Sequence, residues 1–170
     1  MKSRVLTIPV LFFLLSACAP EPLTYEGIPL ATASLAAPLE LPSAWLIQAH
    51  EAVPGRIAAG GIGLAHFDPQ PSMPDLVSVE VPTDQAAIML FHSPSFDNLE
   101  ATVRPWPSDG TILPLIDETA RSLDYTATTE GKFYVVTLEP IGDQSDLLLT
   151  LSVTMDDTWA FYLCRINSTE

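Results

Sequence analysis

Three histidines could bind a metal ion if the fold brought them together. His50, His66 and His92 lie near the ends of predicted strands, and Asp68 follows His66 at the spacing that places both on one strand face. Imidazole and carboxylate groups are ligands for divalent cations, so a hydrolase or another metal-dependent enzyme could use such a histidine-bearing pole. No pair among them has a recognised metal-ligand spacing. We interpret them as surface or core-edge residues and predict no metal, no cofactor and no catalytic residue.

Nucleophilic and phosphate-binding motifs are also missing from the sequence. No Gly-x-Ser-x-Gly elbow is present, and Cys164 lies in the strand-like run 159–164, which predicts a buried, unreactive thiol. Gly60, Gly61 and Gly63 fit neither the phosphate-loop nor the dinucleotide pattern, and no helix pattern follows them. Glycines within a strand more often mark a bulge or a close approach of two backbones.

One aromatic residue is a candidate for recognition. Trp106 lies between Pro105 and Pro107 in a predicted loop, close to Arg104. Because the prolines restrict the backbone, presenting the indole to a sugar ring or a protein partner would cost little ordering entropy. The alternative, which we favour, is that Trp106 covers one end of the fold. If a recognition surface exists, we expect it to include Trp106 and Arg104.

The elements that must position these residues are β-strands. In the run 147–154, Leu149 and Leu151 fall on one face and Thr150 on the other, which is typical of a half-buried strand. The same alternation predicts strands at 45–50, 57–67, 76–81, 86–92, 99–104, 123–128, 133–139 and 159–166. Short strands separated by turn residues predict an all-β, antiparallel β-sandwich, immunoglobulin-like or jelly-roll-like, with at most one short helix near 115–123.

The C-terminal part of the chain resembles the closing strands of immunoglobulin-like and fibronectin-like sandwiches. The resemblance rests on Gly131 and Phe133, which match a glycine corner followed by an aromatic residue that plugs the end of the core. Phe133 lacks the hydroxyl of the tyrosine found at the matching corner. The resemblance implies that two further strands follow as a meander, joined near Gly142 and Asp156, and it implies architecture without function.

The N-terminal residues follow the sequence of charged, apolar and small segments that is typical of a secretory signal. Lys2 and Arg4 precede the apolar run 5–15, which is shorter than the about 20 apolar residues of a transmembrane helix. The residues Leu15-Ser16-Ala17-Cys18 resemble the bacterial lipobox. This resemblance implies cleavage before Cys18 and a diacylglycerol, carrying chains such as palmitate, on its thiol.

Organisation and composition support a small, acidic, membrane-held domain. We predict a signal peptide over 1–17, a proline-rich tether over 18–43 and a β-sandwich domain over 44–170. The formal charge is −14, and loss of Lys2 and Arg4 would leave 5 basic against 21 acidic side chains, a charge of −16. Such a surface repels phosphate backbones and anionic headgroups, which argues against nucleic-acid binding. The lipid on Cys18 must therefore hold the chain to the membrane.

From the sequence we expect a membrane-anchored extracytoplasmic lipoprotein that is a non-catalytic binding or structural module of the cell envelope. The resemblance to lipoproteins, together with Ala19 in place of Asp, implies the outer membrane in a diderm organism. In a monoderm it implies the outer face of the plasma membrane. An envelope protein or a glycan would be its partner. The alternatives are the enzyme with a histidine-bearing pole and an accessory subunit of an envelope complex.

Overall fold

The regular structure of this chain is entirely β in the part that the structure describes. The computed structural model describes residues 22–31, 41–62, 65–67, 76–93, 95–108, 119–142 and 146–169. No helix occurs among these residues, so the predicted all-β class is confirmed. The short helix expected near 115–123 falls largely outside the described residues, and within that range 121–122 form a strand.

The strands are 2 to 12 residues long, and most of them overlap a segment that the sequence predicts as a strand. In chain order they are β1 (Thr24–Tyr25), β2 (Ile28–Pro29), β3 (Ala44–Gln48), β4 (Glu51–Pro54), β5 (Arg56–Ile62), β6 (Ala65–Phe67), β7 (Ser78–Pro82), β8 (Ala87–Phe91), β9 (Asn98–Pro105), β10 (Arg121–Ser122), β11 (Tyr125–Glu130), β12 (Phe133–Leu138), β13 (Leu147–Met155) and β14 (Thr158–Thr169).

Twelve of these strands form the two sheets of a β-sandwich. The five-stranded sheet has the order β11-β12-β8-β3-β4. The seven-stranded sheet has the order β10-β9-β13-β14-β5-β6, with β7 beside the second half of β14. All neighbours are antiparallel except β7, which runs parallel to β14. The predicted antiparallel sandwich is therefore confirmed, with one parallel pair that the alternation did not predict.

The core lies between the two sheets and is filled by alternate residues of each strand. Leu149 and Leu151 of β13 are fully buried there, as predicted. Phe91 of the five-stranded sheet meets Tyr162 of the seven-stranded sheet edge to face, with ring centroids 5.3 Å apart. Thr150, on the opposite face of β13, is also buried, at 4% exposure. The expectation of a half-buried strand is wrong here, because a second apolar cluster covers the outer face of this sheet.

The path from β12 to β13 differs from the expected meander. β12 pairs with β8 and β11, whereas β13 pairs with β9 and β14, so the chain changes sheet between them, past Gly142. The hairpin of β13 and β14 turns at Asp156, as predicted, with a left-handed φ of 50°. Phe133 does not plug the core between the sheets. It packs on the outer face of the five-stranded sheet.

The predicted tether of 18–43 needs correction at residues 22–31. β1 and β2 form a hairpin joined by a two-residue turn. Glu26 and Gly27 both have left-handed φ angles, and a turn of this kind matches the twist of the two strands that it joins. Leu30, directly after the hairpin, is 6% exposed and packs against Trp45 and its neighbours on the five-stranded sheet. The apolar outer face of this sheet therefore gains a cover that a solvated tether would not supply.

Candidate functional site

A groove of about 500 Å³ opens at one side of the sandwich, between the β3–β4 turn and β7. It is lined by residues of both sheets: Gln48, Ala49, His50, Glu51, Val53, Val77, Ser78, Val79 and Glu80.

The walls of the groove are two sheet edges. β4 is the last strand of the five-stranded sheet, and β7 pairs with β14 and with no other strand that the structure describes. The turn from β3 to β4 is tight, with Gln48 opposite Glu51 and a left-handed Ala49 between them. This turn brings His50 and Glu51 to the mouth of the groove.

The groove is acidic at its rim and apolar within. Glu51, Glu80 and His50 are exposed side chains, whereas Val79 is buried and Val53 is partly buried. Val77 is 65% exposed, the largest exposure of a large apolar residue among those described. An open strand edge beside an exposed valine is a surface that an extended peptide can extend as a further strand.

The histidines do not gather at one pole. His50 lies in the turn beyond the end of β3, whereas the His92 amide donates to the Ser43 carbonyl at its beginning, 2.9 Å away. Seven positions of extended chain separate Ser43 from His50, roughly 20 Å. His66 lies on β6 opposite Gly61, and Asp68 lies outside the described residues. In the described part of the chain no three His, Cys, Asp or Glu residues form a group that could hold a metal ion.

Trp106 lies on the outer face of the seven-stranded sheet. Its ring is half-buried against the cluster of Leu148 and Leu163, and the Arg165 guanidinium carbon is 4.2 Å from its centroid. Asp146 holds that guanidinium through two hydrogen bonds of 2.8 and 2.9 Å. Its backbone carbonyl accepts from the Trp106 amide at 2.9 Å. These contacts favour the covering role of Trp106.

Arg104 is not the accessible basic group that the sequence suggested. It is 6% exposed. Its position in β9 is directly opposite Leu148, so it shares the outer face with that fully buried residue. A partner could not reach its guanidinium without moving the residues around it.

Cys164 is a buried free thiol, as predicted. Burial raises its pKa to about 12, so the thiol stays protonated and a poor nucleophile at neutral pH. Gly60 marks a close approach, also as predicted: a Cβ there would lie 2.7 Å from the Leu41 Cδ1 and 3.1 Å from the Trp159 carbonyl oxygen.

Two tyrosines that the sequence did not single out hold distant segments together. The Tyr162 hydroxyl donates to the Pro42 carbonyl at 2.6 Å and ties residues 41–43 to the core. The Tyr25 hydroxyl donates to Glu130 at 3.0 Å and ties the β1–β2 hairpin to the β11–β12 turn. Burial and this hydrogen bond raise the pKa of Tyr25 to about 12. No local pattern marks such a residue, because its partner is far along the chain.

Comparison with known proteins leaves the function to be argued from the site. No protein-family model matches this chain, and neither does any curated protein or solved structure. Among the described residues, none belongs to a helix long and apolar enough to cross a membrane.

Proposed function

We propose that this chain is a lipid-anchored extracytoplasmic lipoprotein whose β-sandwich is a non-catalytic binding module of the cell envelope. The observation that carries the proposal is the run Leu15-Ser16-Ala17-Cys18 after a charged and then apolar segment. Two or three acyl chains on Cys18 would anchor the protein, at about 0.8 kcal/mol for each buried CH₂.

The groove between the β3–β4 turn and β7 is the proposed binding site. Its occupant is an extended, basic segment of an envelope protein. Glu51 and Glu80 favour lysine or arginine side chains, and Val77 offers an apolar contact. The edge of β7 away from β14, which pairs with no other described strand, would supply backbone hydrogen bonds. A permanent partner at this edge would make the chain an accessory subunit, and Val77 is the observation that favours that second role.

Metabolic labelling tests the lipid anchor. We expect cells fed an alkyne-tagged fatty acid to label the protein, and Cys18→Ser to abolish the label and leave an uncleaved or mislocalised precursor. Cys164→Ala is the matched control, because Cys164 is buried and should leave the label unchanged. An unlabelled mature protein that begins elsewhere than at Cys18 would end the proposal.

Peptide titration tests the groove. We expect a peptide of alternating lysine and valine to bind the protein, and a glutamate–valine peptide to bind at least tenfold more weakly. Glu51→Lys with Glu80→Lys should remove the difference. Glu100→Lys, an exposed change on β9 outside the groove, should keep it. If both peptides bind equally, or glycan fragments bind while the peptides do not, the basic-segment assignment is wrong.

A further inference from the structure

The β1–β2 hairpin fixes the start of the described chain to one place on the sandwich. Trp45 Nε1 donates a hydrogen bond of 2.8 Å to the Ala31 carbonyl, directly after the hairpin. Leu30 is buried beside it, and the Leu30 amide donates to the Leu23 carbonyl at 2.9 Å. Leu23 itself is partly buried in the same cluster. The chain therefore reaches the sandwich at Leu23, next to Trp45.

A second set of contacts holds β1, the first strand of the hairpin. The Tyr25 ring meets Phe133 edge to face, with centroids 5.7 Å apart, and the Tyr25 hydroxyl donates to Glu130. The Lys132 ammonium lies 5.7 Å from the centroid of the same Phe133 ring. The hairpin is thus attached both to β3 of the five-stranded sheet and to the β11–β12 turn.

This attachment shortens the connection to Cys18. Leu23 follows Cys18 by five positions, and five fully extended residues reach at most about 18 Å. A free tether over 18–43 would reach roughly 90 Å. A hairpin that stays attached therefore leaves the sandwich within about one domain radius of the atom that carries the lipid.

The attachment point and the groove lie at different ends of β3. Trp45 stands near the start of this strand and His50 beyond its end, which is roughly 15 Å of extended chain. Lys132 lies at the Trp45 end of the sheet. It directly precedes Phe133, which begins β12 beside the end of β8 that carries Phe91, and Phe91 pairs with Ala44 at the start of β3. Lys132 is also one of the 5 basic side chains that follow Cys18.

We propose that the β1–β2 hairpin is a clamp that holds the sandwich beside the lipid bilayer, with the Lys132 end nearer to the lipid and the groove farther from it. The inference rests on the proposed lipidation of Cys18. The occupant of the surface around Tyr25 and Lys132 is then the bilayer headgroup region. Lys132 offers a cation to its phosphates, beside the exposed carboxylates of Glu26 and Glu130.

Energy transfer from two positions tests the orientation. The acylated full chain is placed in phosphatidylcholine vesicles that contain acceptor-labelled headgroups. A donor dye is attached at Thr128→Cys, which lies level with Trp45 across the sheet and keeps Lys132, or at His50→Cys. The buried Cys164 does not react. We expect the donor at position 128 to lie closer to the acceptor plane, by up to roughly 15 Å. Equal distances from both positions, or a shorter one from position 50, would overturn the orientation.

Two insertions of the same length test the clamp. Ten glycine and serine residues inserted after Pro20 lengthen the connection from 5 to 15 residues. The root-mean-square span from Cys18 to Leu23 should then rise about 1.7-fold, as the square root of linker length requires, and the position-128 donor should move away from the acceptor plane. With a free 26-residue tether the rise would be about 1.2-fold. The same ten residues inserted after Ala36 should leave the distance unchanged if the hairpin stays attached. Equal effects of the two insertions would overturn the clamp.

Failure of the anchor and failure of the clamp give different results. A chain that does not float with the vesicles, and whose N-terminal peptide carries no acyl mass, overturns the lipidation and the orientation together. A chain that floats and carries the acyl mass but fails the insertion test overturns the clamp alone.

Discussion

Both sheets of the sandwich bury apolar residues on their outer faces, but they use different covers. On the five-stranded sheet, Trp45 and Phe133 lie under a separate piece of chain, the β1–β2 hairpin. On the seven-stranded sheet, Leu148 and Leu163 are fully buried in a cluster with Trp106, and Arg165 lies over its ring. Antiparallel sheets commonly leave one face in water. Here neither outer face is wholly polar.

The β1–β2 hairpin is a removable cover, whereas Trp106 and Arg165 form a built-in cover that is continuous with strands of the seven-stranded sheet. The hairpin precedes the sandwich in sequence and can leave it without changing any strand pairing of the two sheets. Trp106 directly follows β9, and Arg165 is within β14, so their cover cannot leave without disturbing those strands. The removable cover also lies on the path to Cys18, which is why the proposed role in membrane positioning is assigned to it.

The largest expected effect follows from truncating a buried leucine on the outer face or on the core face of β13. Leu148→Ala and Leu151→Ala should each lower the free energy of unfolding by about 2–5 kcal/mol, because both side chains are fully buried. Thr128→Ala, at an exposed position on β11, should change it by less than about 0.5 kcal/mol. Chemical denaturation measures all three. A change below about 1 kcal/mol for Leu148→Ala would mean that the outer face is open.

Local alternation predicted most strands but not what covers them. The run 147–154 alternates from Leu149 onward, and β13 occupies Leu147–Met155. The alternation says which residues share a face, whereas the burial of Leu148 depends on residues far from it in sequence. The β1–β2 hairpin escaped prediction because strands of two residues carry almost no periodicity and Pro29 opposes regular pairing.

The site was less predictable than the strands. The groove is formed by the β3–β4 turn and β7, which are far apart in the sequence and belong to different sheets. The residue types alone suggested a metal pole, but chain direction places His50 and His92 at opposite ends of β3. Arg104 looked accessible because it is charged and next to prolines. Its burial follows from its position opposite Leu148, which only the pairing of β9 with β13 reveals.

Removing the hairpin should have the second largest effect. A chain that begins at Leu41 keeps the Tyr162 bond to Pro42 but loses Leu30 and the Trp45 bond to Ala31. We expect it to fold with an unchanged strand spectrum by circular dichroism. It should be less stable by about 2–4 kcal/mol than a chain that begins at Pro22, from one buried leucine and one hydrogen bond. Leu30→Ala in the longer chain should show a part of this loss. Equal stability would mean that the hairpin does not cover the sheet.

Alkaline pH should weaken the hairpin attachment selectively. The folded pKa of Tyr25 is raised to about 12 from the ordinary value of 10.0, mainly by burial and then by Glu130. A raised pKa means that the stabilisation is complete below pH 10 and is lost as the pH rises toward 12. The free energy of unfolding of the natural chain exceeds that of Tyr25→Phe at lower pH, and this difference should therefore fall across this range. A difference that stays constant with pH would show that the Tyr25 hydroxyl is neither buried nor bonded to Glu130.

The smallest expected effect concerns the built-in cover at Trp106. Arg165→Lys keeps the charge but cannot reproduce two parallel bonds to Asp146, and it stacks less well on the indole. Because Arg165 is partly exposed, we expect a loss of only about 0.5–1 kcal/mol.

Acrylamide quenching, taken as the difference between the natural chain and Trp106→Phe, reports how far water reaches the ring. Since acrylamide is neutral, the acidic surface does not bias it as it would bias iodide. A protected Trp106 that becomes quenchable in Arg165→Lys would show that the guanidinium helps to cover it. A Trp106 already open to quencher in the natural chain would instead favour recognition, and the outer face of the seven-stranded sheet would then be a second surface for partners.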